Sequence, residues 1–146
     1  MKPDMIILHH SASTDHPTLD WQGIRRYHIV ERGYKDVGYH FGIEQVNEGF
    51  EIVVGRMVNE IGAHCVAKGM NRKSIGICFI GNFTNEPPTE RQWGLGVRLV
   101  TGLCVLGNIP ATNIYGHREW ADTECPGKAF DLGKFRTDVV LKLVQG

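Results

Sequence analysis

Two features are missing from this sequence of 146 residues: a long apolar run and an excess of charge of one sign. No stretch approaches the roughly 18 to 20 apolar residues that cross a bilayer, so membrane insertion is not expected. Lys and Arg number 16 and Asp and Glu number 16, so the formal net charge is zero. This balance gives no support for a basic surface that binds nucleic acid or an anionic membrane.

Closely spaced cysteines are also missing. The four cysteines form no Cys-x-x-Cys pair; they are Cys65, Cys78, Cys104 and Cys125. In a reducing compartment such thiols are free or bind a metal rather than pair as disulfides. The apolar run at residues 5–8 is too short for a secretory signal, so we expect cytoplasmic synthesis without a signal peptide.

The length and the apolar pattern predict one domain over residues 1–146, of the α/β or α+β class. Short apolar runs predict strands at residues 5–8, 74–80 and 113–116. Two more strand-like runs, at residues 39–44 and 51–54, flank the turn sequence Asn47-Glu48-Gly49 and predict a hairpin.

Helices are predicted where a capping residue precedes an amphipathic run. Asp20, Thr89 and Asp131 are the expected N-caps of helices that extend to about residues 31, 106 and 143. Gln92 completes a capping-box pattern with Thr89. On the first helix, Trp21, Ile24, Tyr27 and His28 are expected to face inward.

Three residues, each beyond a predicted strand or in a long loop, could hold a metal ion: His9, His117 and Cys125. Neutral imidazole and thiolate are ligands that zinc accepts, and a catalytic zinc site has three protein ligands and one open position. Taken by spacing alone the triple is weak, because seven histidines and four cysteines offer many combinations. The alternative is a small buried thiol at Cys125 and a histidine that ends a strand at His9.

Five segments in fixed order strengthen the interpretation. They are Ile6-Ile7-Leu8-His9-His10-Ser11-Ala12-Ser13, Asp36-Val37-Gly38-Tyr39-His40-Phe41, Gly62-Ala63-His64, Asn71-Arg72-Lys73-Ser74-Ile75-Gly76-Ile77-Cys78, and Gly116-His117-Arg118-Glu119 with Cys125-Pro126-Gly127. Together they resemble the zinc-dependent N-acetylmuramoyl-L-alanine amidases, the family that includes phage lysozymes of the T7 kind and peptidoglycan recognition proteins. The resemblance implies an α/β domain with a central mixed sheet, flanking helices and a zinc site at the sheet edge.

The resemblance also implies roles for individual residues. His9, His117 and Cys125 would bind Zn²⁺, and the Tyr39 hydroxyl would lie near the metal-bound water. Thr123 stands where the T7-like enzymes have lysine and catalytic recognition proteins have threonine, and it would bind the developing oxyanion without adding positive charge.

Further residues are assigned to substrate or to support. The resemblance implies that His64, Asn71 and Arg72 bind the peptide stem. Arg118 and Glu119 are expected to hold the metal loop, and His10 to lie beside the site. His40 is expected to be structural, because it alternates with Tyr39 along the chain.

The activity implied by the resemblance is hydrolysis of the amide bond between N-acetylmuramic acid and L-alanine. The resemblance favours a phage or prophage endolysin over a host enzyme that recycles cell-wall fragments, and the sequence leaves both open. The expected partner is peptidoglycan or a muropeptide, reached when a holin-like partner opens the membrane, and the default oligomeric state is a monomer. Two alternatives stay open: a non-catalytic peptidoglycan-binding module, which a retained Cys125 disfavours, and a cysteine hydrolase with Cys125 as nucleophile and His117 as base. The His-x-Glu and Pro-Cys-x-x-Cys pattern of zinc deaminases is missing.

Overall fold

The structure, a computed structural model, describes residues 1–13 and 20–146. Within these ranges five strands form one sheet in the order β3-β2-β4-β1-β5. The elements are β1 (Met5–His10), α1 (Trp21–Val30), β2 (Phe41–Val46), β3 (Gly49–Val54), β4 (Ser74–Phe79), α2 (Glu90–Gly107), β5 (Ile114–Gly116) and α3 (Leu132–Val144). None of the described helices is long and apolar enough to span a bilayer.

The sheet is mixed, as the family resemblance implies. Strand β1 runs parallel to β4 on one side and to β5 on the other, and β2 runs parallel to β4. Strand β3 is antiparallel to β2, which confirms the predicted hairpin. Strand β2 begins at Phe41, two residues later than predicted, although Tyr39 and His40 still accept backbone hydrogen bonds from Arg56 and Gly55.

The two faces of the sheet are covered differently. One face carries the main apolar core: alternate residues of β1 and β4 pack there against α2 and α3, among them Ile6, Leu8, Ile75, Ile77, Phe79, Val97, Val100, Phe135 and Val139. The other face carries two smaller clusters, built around Trp21 of α1 and around Ile7 with Met70. Because side chains alternate along a strand, His9 lies on this second face with Ile7.

The three predicted N-caps are confirmed. The side chains of Asp20, Thr89 and Asp131 accept hydrogen bonds from the backbone N–H groups of Gly23, Gln92 and Lys134. On α1, Trp21 is buried as predicted. Tyr27 is not on the inner face: it is 51% exposed.

The Gln92 side chain differs from the prediction. It is buried and does not complete the capping box; its amide nitrogen donates to Ile43 O (3.1 Å) and Ile80 O (3.0 Å). Ile43 lies within β2 and Ile80 directly follows β4, the neighbouring strand, so one side chain ties α2 to the sheet. The capping-box pattern cannot anticipate this use, because it depends on where the sheet lies.

We expect Gln92→Leu to lower the free energy of unfolding by about 2 kcal/mol, because two buried carbonyls lose their shared donor. The measurement is urea unfolding followed by circular dichroism. Gln22→Leu, at an exposed position of α1, is the matched control and should change stability by less than about 0.5 kcal/mol. Equal effects of the two substitutions would contradict a stabilising role of the Gln92 hydrogen bonds to Ile43 and Ile80.

Candidate metal centre

The three predicted ligands come together at one edge of the sheet. His9 lies near the end of β1, and His117 directly follows β5. Because β1 and β5 are parallel neighbours, both strands end at the same edge. Cys125 comes from the loop that follows His117, and the ligand atoms of all three residues lie within 4.8 Å of one another.

The donor set fits zinc. His9 Nδ1 lies 3.7 Å from Cys125 Sγ. Tetrahedral zinc with Zn–N of about 2.0–2.1 Å and Zn–S of about 2.3 Å requires an N-to-S separation of about 3.6 Å. The rings of His9 and His117 have centroids 4.6 Å apart. The His9–Cys125 pair therefore has the spacing that such an ion needs, and the ligand atom of His117 lies within 4.8 Å of both.

Burial controls the protonation of the ligands. It lowers the pKa of His9 well below 6.5, with smaller contributions from the neighbouring His64 and His117. Burial also lowers the pKa of His117. Both imidazoles are therefore neutral at neutral pH, the form in which histidine binds metals.

Burial shifts the pKa of Cys125 in the opposite direction. Burial raises the pKa of its thiol to about 12, although a hydrogen bond from the His10 backbone N–H to Sγ (3.4 Å) favours the thiolate. A thiolate here therefore requires a cation nearby, such as a metal ion. Reactive cysteine nucleophiles have a lowered pKa instead, so this environment disfavours the cysteine-hydrolase alternative.

Arg118 holds the loop that carries Cys125, and Glu119 holds the end of β5 that precedes His117. The Arg118 guanidinium donates to Gly127 O (2.7 Å) and to Phe130 O (2.9 Å), and its backbone N–H donates to Cys125 O (2.8 Å). Glu119 Oε2 accepts from the backbone N–H of Gly116 at 2.8 Å. These contacts fit the supporting role expected of both residues.

The side chains of Tyr39 and Thr123 both lie against candidate ligand residues. The Tyr39 ring lies 5.1 Å from the ring of His9, centroid to centroid. Burial raises the pKa of Tyr39 well above 10, so its phenol keeps its proton. Thr123 Oγ1 accepts a hydrogen bond from the backbone N–H of Cys125 (3.2 Å), which leaves the hydroxyl proton available to another acceptor.

The three residues expected to bind substrate occupy different environments. His64 is buried, and its Nδ1 lies 2.8 Å from His9 Nε2. Asn71 Oδ1 accepts from the backbone N–H groups of His64 and Cys65, both at 2.7 Å. Substrate contact by these residues stays a prediction; His64 is buried, Asn71 is half-buried and Arg72 is exposed.

His40 has both ring nitrogens engaged by backbone groups. Its Nδ1 accepts from the Gly76 N–H (3.0 Å), and its Nε2 lies 2.9 Å from Glu60 O. The side chain is fully buried. These contacts fit the structural role expected of it.

A cleft of about 440 Å³ opens beside Tyr39 and was not anticipated from the sequence; its lining residues are Ser11, Ser13, Gly23, Ile24, Tyr27, His28 and Tyr39. Four of these residues belong to α1. No signal in the sequence marks this cleft, because Tyr27 was expected to face inward and its exposure of 51% is seen only in the structure.

The chain belongs to the N-acetylmuramoyl-L-alanine amidase family, whose family model matches residues 1–128. The fold and the position of the His-His-Cys cluster agree with the resemblance drawn from the five segments.

Individual relatives come from both branches of the family. The chain is 38% identical over 129 residues to peptidoglycan-recognition protein LB of Drosophila melanogaster, covering 84% of this chain and 53% of that protein, so it spans about half its length. The endolysin N-acetylmuramoyl-L-alanine amidase LysCS from Clostridium intestinale superimposes with a TM-score of 0.81 at 31% identity, over 96% of this chain and 85% of the other. A tyrosine-to-phenylalanine variant of Drosophila PGRP-LB, in complex with tracheal cytotoxin, gives a TM-score of 0.74 at 36% identity, over 89% and 79% of the two chains.

The histidines make stability depend on pH. Within residues 1–13 and 20–146, six histidines have a pKa below 6.5 in the folded chain, namely His9, His10, His28, His40, His64 and His117. In the unfolded chain they take up protons near pH 6.5. Because the unfolded state then binds more protons, we expect the free energy of unfolding of the metal-free protein to fall between about pH 7 and pH 5.

Urea unfolding at several pH values, with a chelator present throughout, measures this dependence. The range above about pH 5 separates the histidines from the carboxylates, whose unfolded pKa values lie near 4. A free energy of unfolding that stays level or rises toward pH 5 would contradict the burial of neutral histidines.

Proposed function

We propose that the protein is a zinc-dependent N-acetylmuramoyl-L-alanine amidase that cleaves the amide bond between N-acetylmuramic acid and L-alanine. The observation that carries the proposal is the convergence of His9, His117 and Cys125, with ligand atoms within 4.8 Å of one another. Membership of the amidase family and the adjacent Tyr39 support it. The retained Cys125 favours catalysis over the non-catalytic binding module.

In this proposal His9, His117 and Cys125 hold the zinc ion. Bound there, zinc would act as a Lewis acid and lower the pKa of a coordinated water toward about 7. The protein keeps the two imidazoles neutral by burial and stabilises the sulfur through the backbone N–H of His10. Arg118 fixes the loop on which the sulfur is carried.

Tyr39 and Thr123 supply hydrogen-bond donors for the oxygen of the scissile carbonyl. Attack on an amide carbonyl places negative charge on this oxygen, and a donor fixed in advance stabilises that charge by about 3–4 kcal/mol. The raised pKa of Tyr39 keeps its phenol a donor over the whole neutral range. Thr123 is oriented through its bond from the Cys125 backbone.

Substrate binding is proposed to use the cleft beside Tyr39 together with the exposed Arg72. The related PGRP-LB binds tracheal cytotoxin in a solved complex, which supports a muropeptide as the ligand class. The endolysin relative supports action on the cell wall. Release by a membrane-permeabilising partner is part of the proposal. A monomer is sufficient for this arrangement, because all three candidate ligands come from one chain.

The test is digestion of purified peptidoglycan by the wild type and by Cys125→Ser, with products analysed by mass spectrometry and zinc by metal analysis. We expect about one zinc per wild-type chain and free L-alanine amino termini, and loss of zinc and cleavage in Cys125→Ser. Cys104→Ser, in the apolar core away from the ligands, controls for loss of a thiol.

Other outcomes would favour other functions. New reducing sugar ends without free L-alanine amino termini would contradict the amidase. Binding of muropeptide without cleavage would indicate a recognition module, and cleavage by zinc-free protein would indicate the cysteine mechanism.

Tyr39→Phe is expected to lower kcat by about 100- to 1000-fold, because the oxyanion loses one fixed donor. The zinc content should not change, since Tyr39 is not a proposed ligand. Tyr115→Phe, whose ring packs on Trp120, is the matched control and should retain full activity. A Tyr39→Phe variant as active as the wild type would remove Tyr39 from the catalytic residues.

A further inference from the structure

A buried hydrogen-bond network begins at His9 Nε2, the ring nitrogen that does not face Cys125. His9 Nε2 lies 2.8 Å from His64 Nδ1, and His64 Nε2 lies 3.5 Å from Ser74 Oγ. The Ser74 hydroxyl donates to Met70 O at 2.7 Å. His9, His64 and Ser74 are 1%, 8% and 0% exposed, so this hydrogen-bond network is closed to solvent.

The direction of every hydrogen bond in this network follows from the bond between Ser74 and Met70 O. A serine hydroxyl has one proton, and Ser74 gives it to Met70 O, so Ser74 Oγ can only accept from His64. The proton of neutral His64 is therefore on Nε2, and its Nδ1 accepts from the Nε2–H of His9. Neutral His9 then has no proton on Nδ1, the nitrogen that lies 3.7 Å from Cys125 Sγ.

We propose that His64 is a positioning residue that fixes His9 in the tautomer and ring orientation that present the Nδ1 lone pair to the metal. This inference rests on the proposed function, because it assigns His64 a role toward the zinc ion. With the opposite tautomer of His64, His9 would have to accept on Nε2 and would carry its proton on Nδ1. That arrangement would block the ligand atom.

The His64 ring occupies a space that the backbone leaves for it. A Cβ atom on Gly76 would lie 2.5 Å from His64 Cδ2, and one on Gly62 would lie 2.6 Å from the same atom. Strand β4 thus has no side chain where the ring rests on the sheet. Asn71 Oδ1 holds the backbone N–H of His64 from the other side (2.7 Å).

This placement accounts for both ring nitrogens of His64. One faces His9 and the other faces Ser74, so neither is directed to a ligand in solvent. The role differs from the substrate contact expected of His64 from the family resemblance. Groups that orient a metal-bound histidine in this way typically change metal affinity by 10- to 100-fold when removed.

The experiment compares zinc affinity of the full chain in the wild type, His64→Leu and His64→Asn, by competition with a chelator. In His64→Leu the acceptor for His9 Nε2–H is lost, and we expect the Kd for zinc to rise about 10- to 100-fold. In His64→Asn the side-chain oxygen can replace Nδ1 as acceptor, and the Kd should return to within a few-fold of the wild type. The absorption bands of bound Co²⁺ should shift in His64→Leu and recover in His64→Asn.

A milder pair of variants guards against misfolding. Ser74→Ala removes the acceptor that selects the His64 tautomer, and we expect a smaller rise in the Kd. Thr101→Val removes a comparable hydroxyl-to-carbonyl bond, from Thr101 to Val97 O (2.7 Å) in α2, and should leave zinc affinity unchanged. Urea unfolding of the metal-free variants separates lost stability from lost affinity.

The failures are distinguishable. Equal zinc affinity and equal Co²⁺ spectra in the wild type, His64→Leu and Ser74→Ala would overturn the inference alone. The same holds if His64→Asn binds zinc as weakly as His64→Leu. A wild type that binds neither zinc nor Co²⁺ would overturn the proposed function and the inference together.

Discussion

The position of β1 between two parallel strands is the constraint on which the candidate site depends. Pairing with β5 brings the ends of both strands to one edge, so His9 and His117 meet there. Pairing with β4 places Ile7 opposite Gly76, and the space left above Gly76 holds the ring of His64. A shift of β1 by one residue would turn His9 into the apolar core beneath α2 and α3. The register therefore sets both the ligands and their support.

Burial has opposite consequences for the two kinds of ligand. It keeps His9 and His117 neutral, which suits metal binding, but it raises the pKa of the Cys125 thiol to about 12. The protein offsets part of this cost with the backbone N–H of His10, a donor that carries no titratable group. No carboxylate belongs to the candidate cluster of the described residues, so a zinc site with one thiolate would keep a net charge of about +1.

The sequence was sufficient to predict features that depend on local pattern. Apolar runs predicted the strands, and Asp20, Thr89 and Asp131 marked the helix starts, because capping depends on neighbours along the chain. The order of the five segments predicted which histidines and which cysteine would converge. Gln92 and His64 could not be assigned in this way. Their partners come from other strands, and only the register shows that Gln92 reaches two carbonyls and that Gly76 leaves room for His64.

Under the proposed function, the same geometry separates support of the candidate metal centre from contact with substrate. The polar atoms of His64 and the side-chain oxygen of Asn71 are engaged within the protein. In this proposal, recognition relies on groups that remain open, and the cleft lined by α1 is one such surface beside Tyr39. Tyr39 borders this cleft and also packs against His9. A ligand that fills the cleft would therefore reach the metal centre past the Tyr39 phenol, which couples binding on the α1 side to the donor proposed for catalysis.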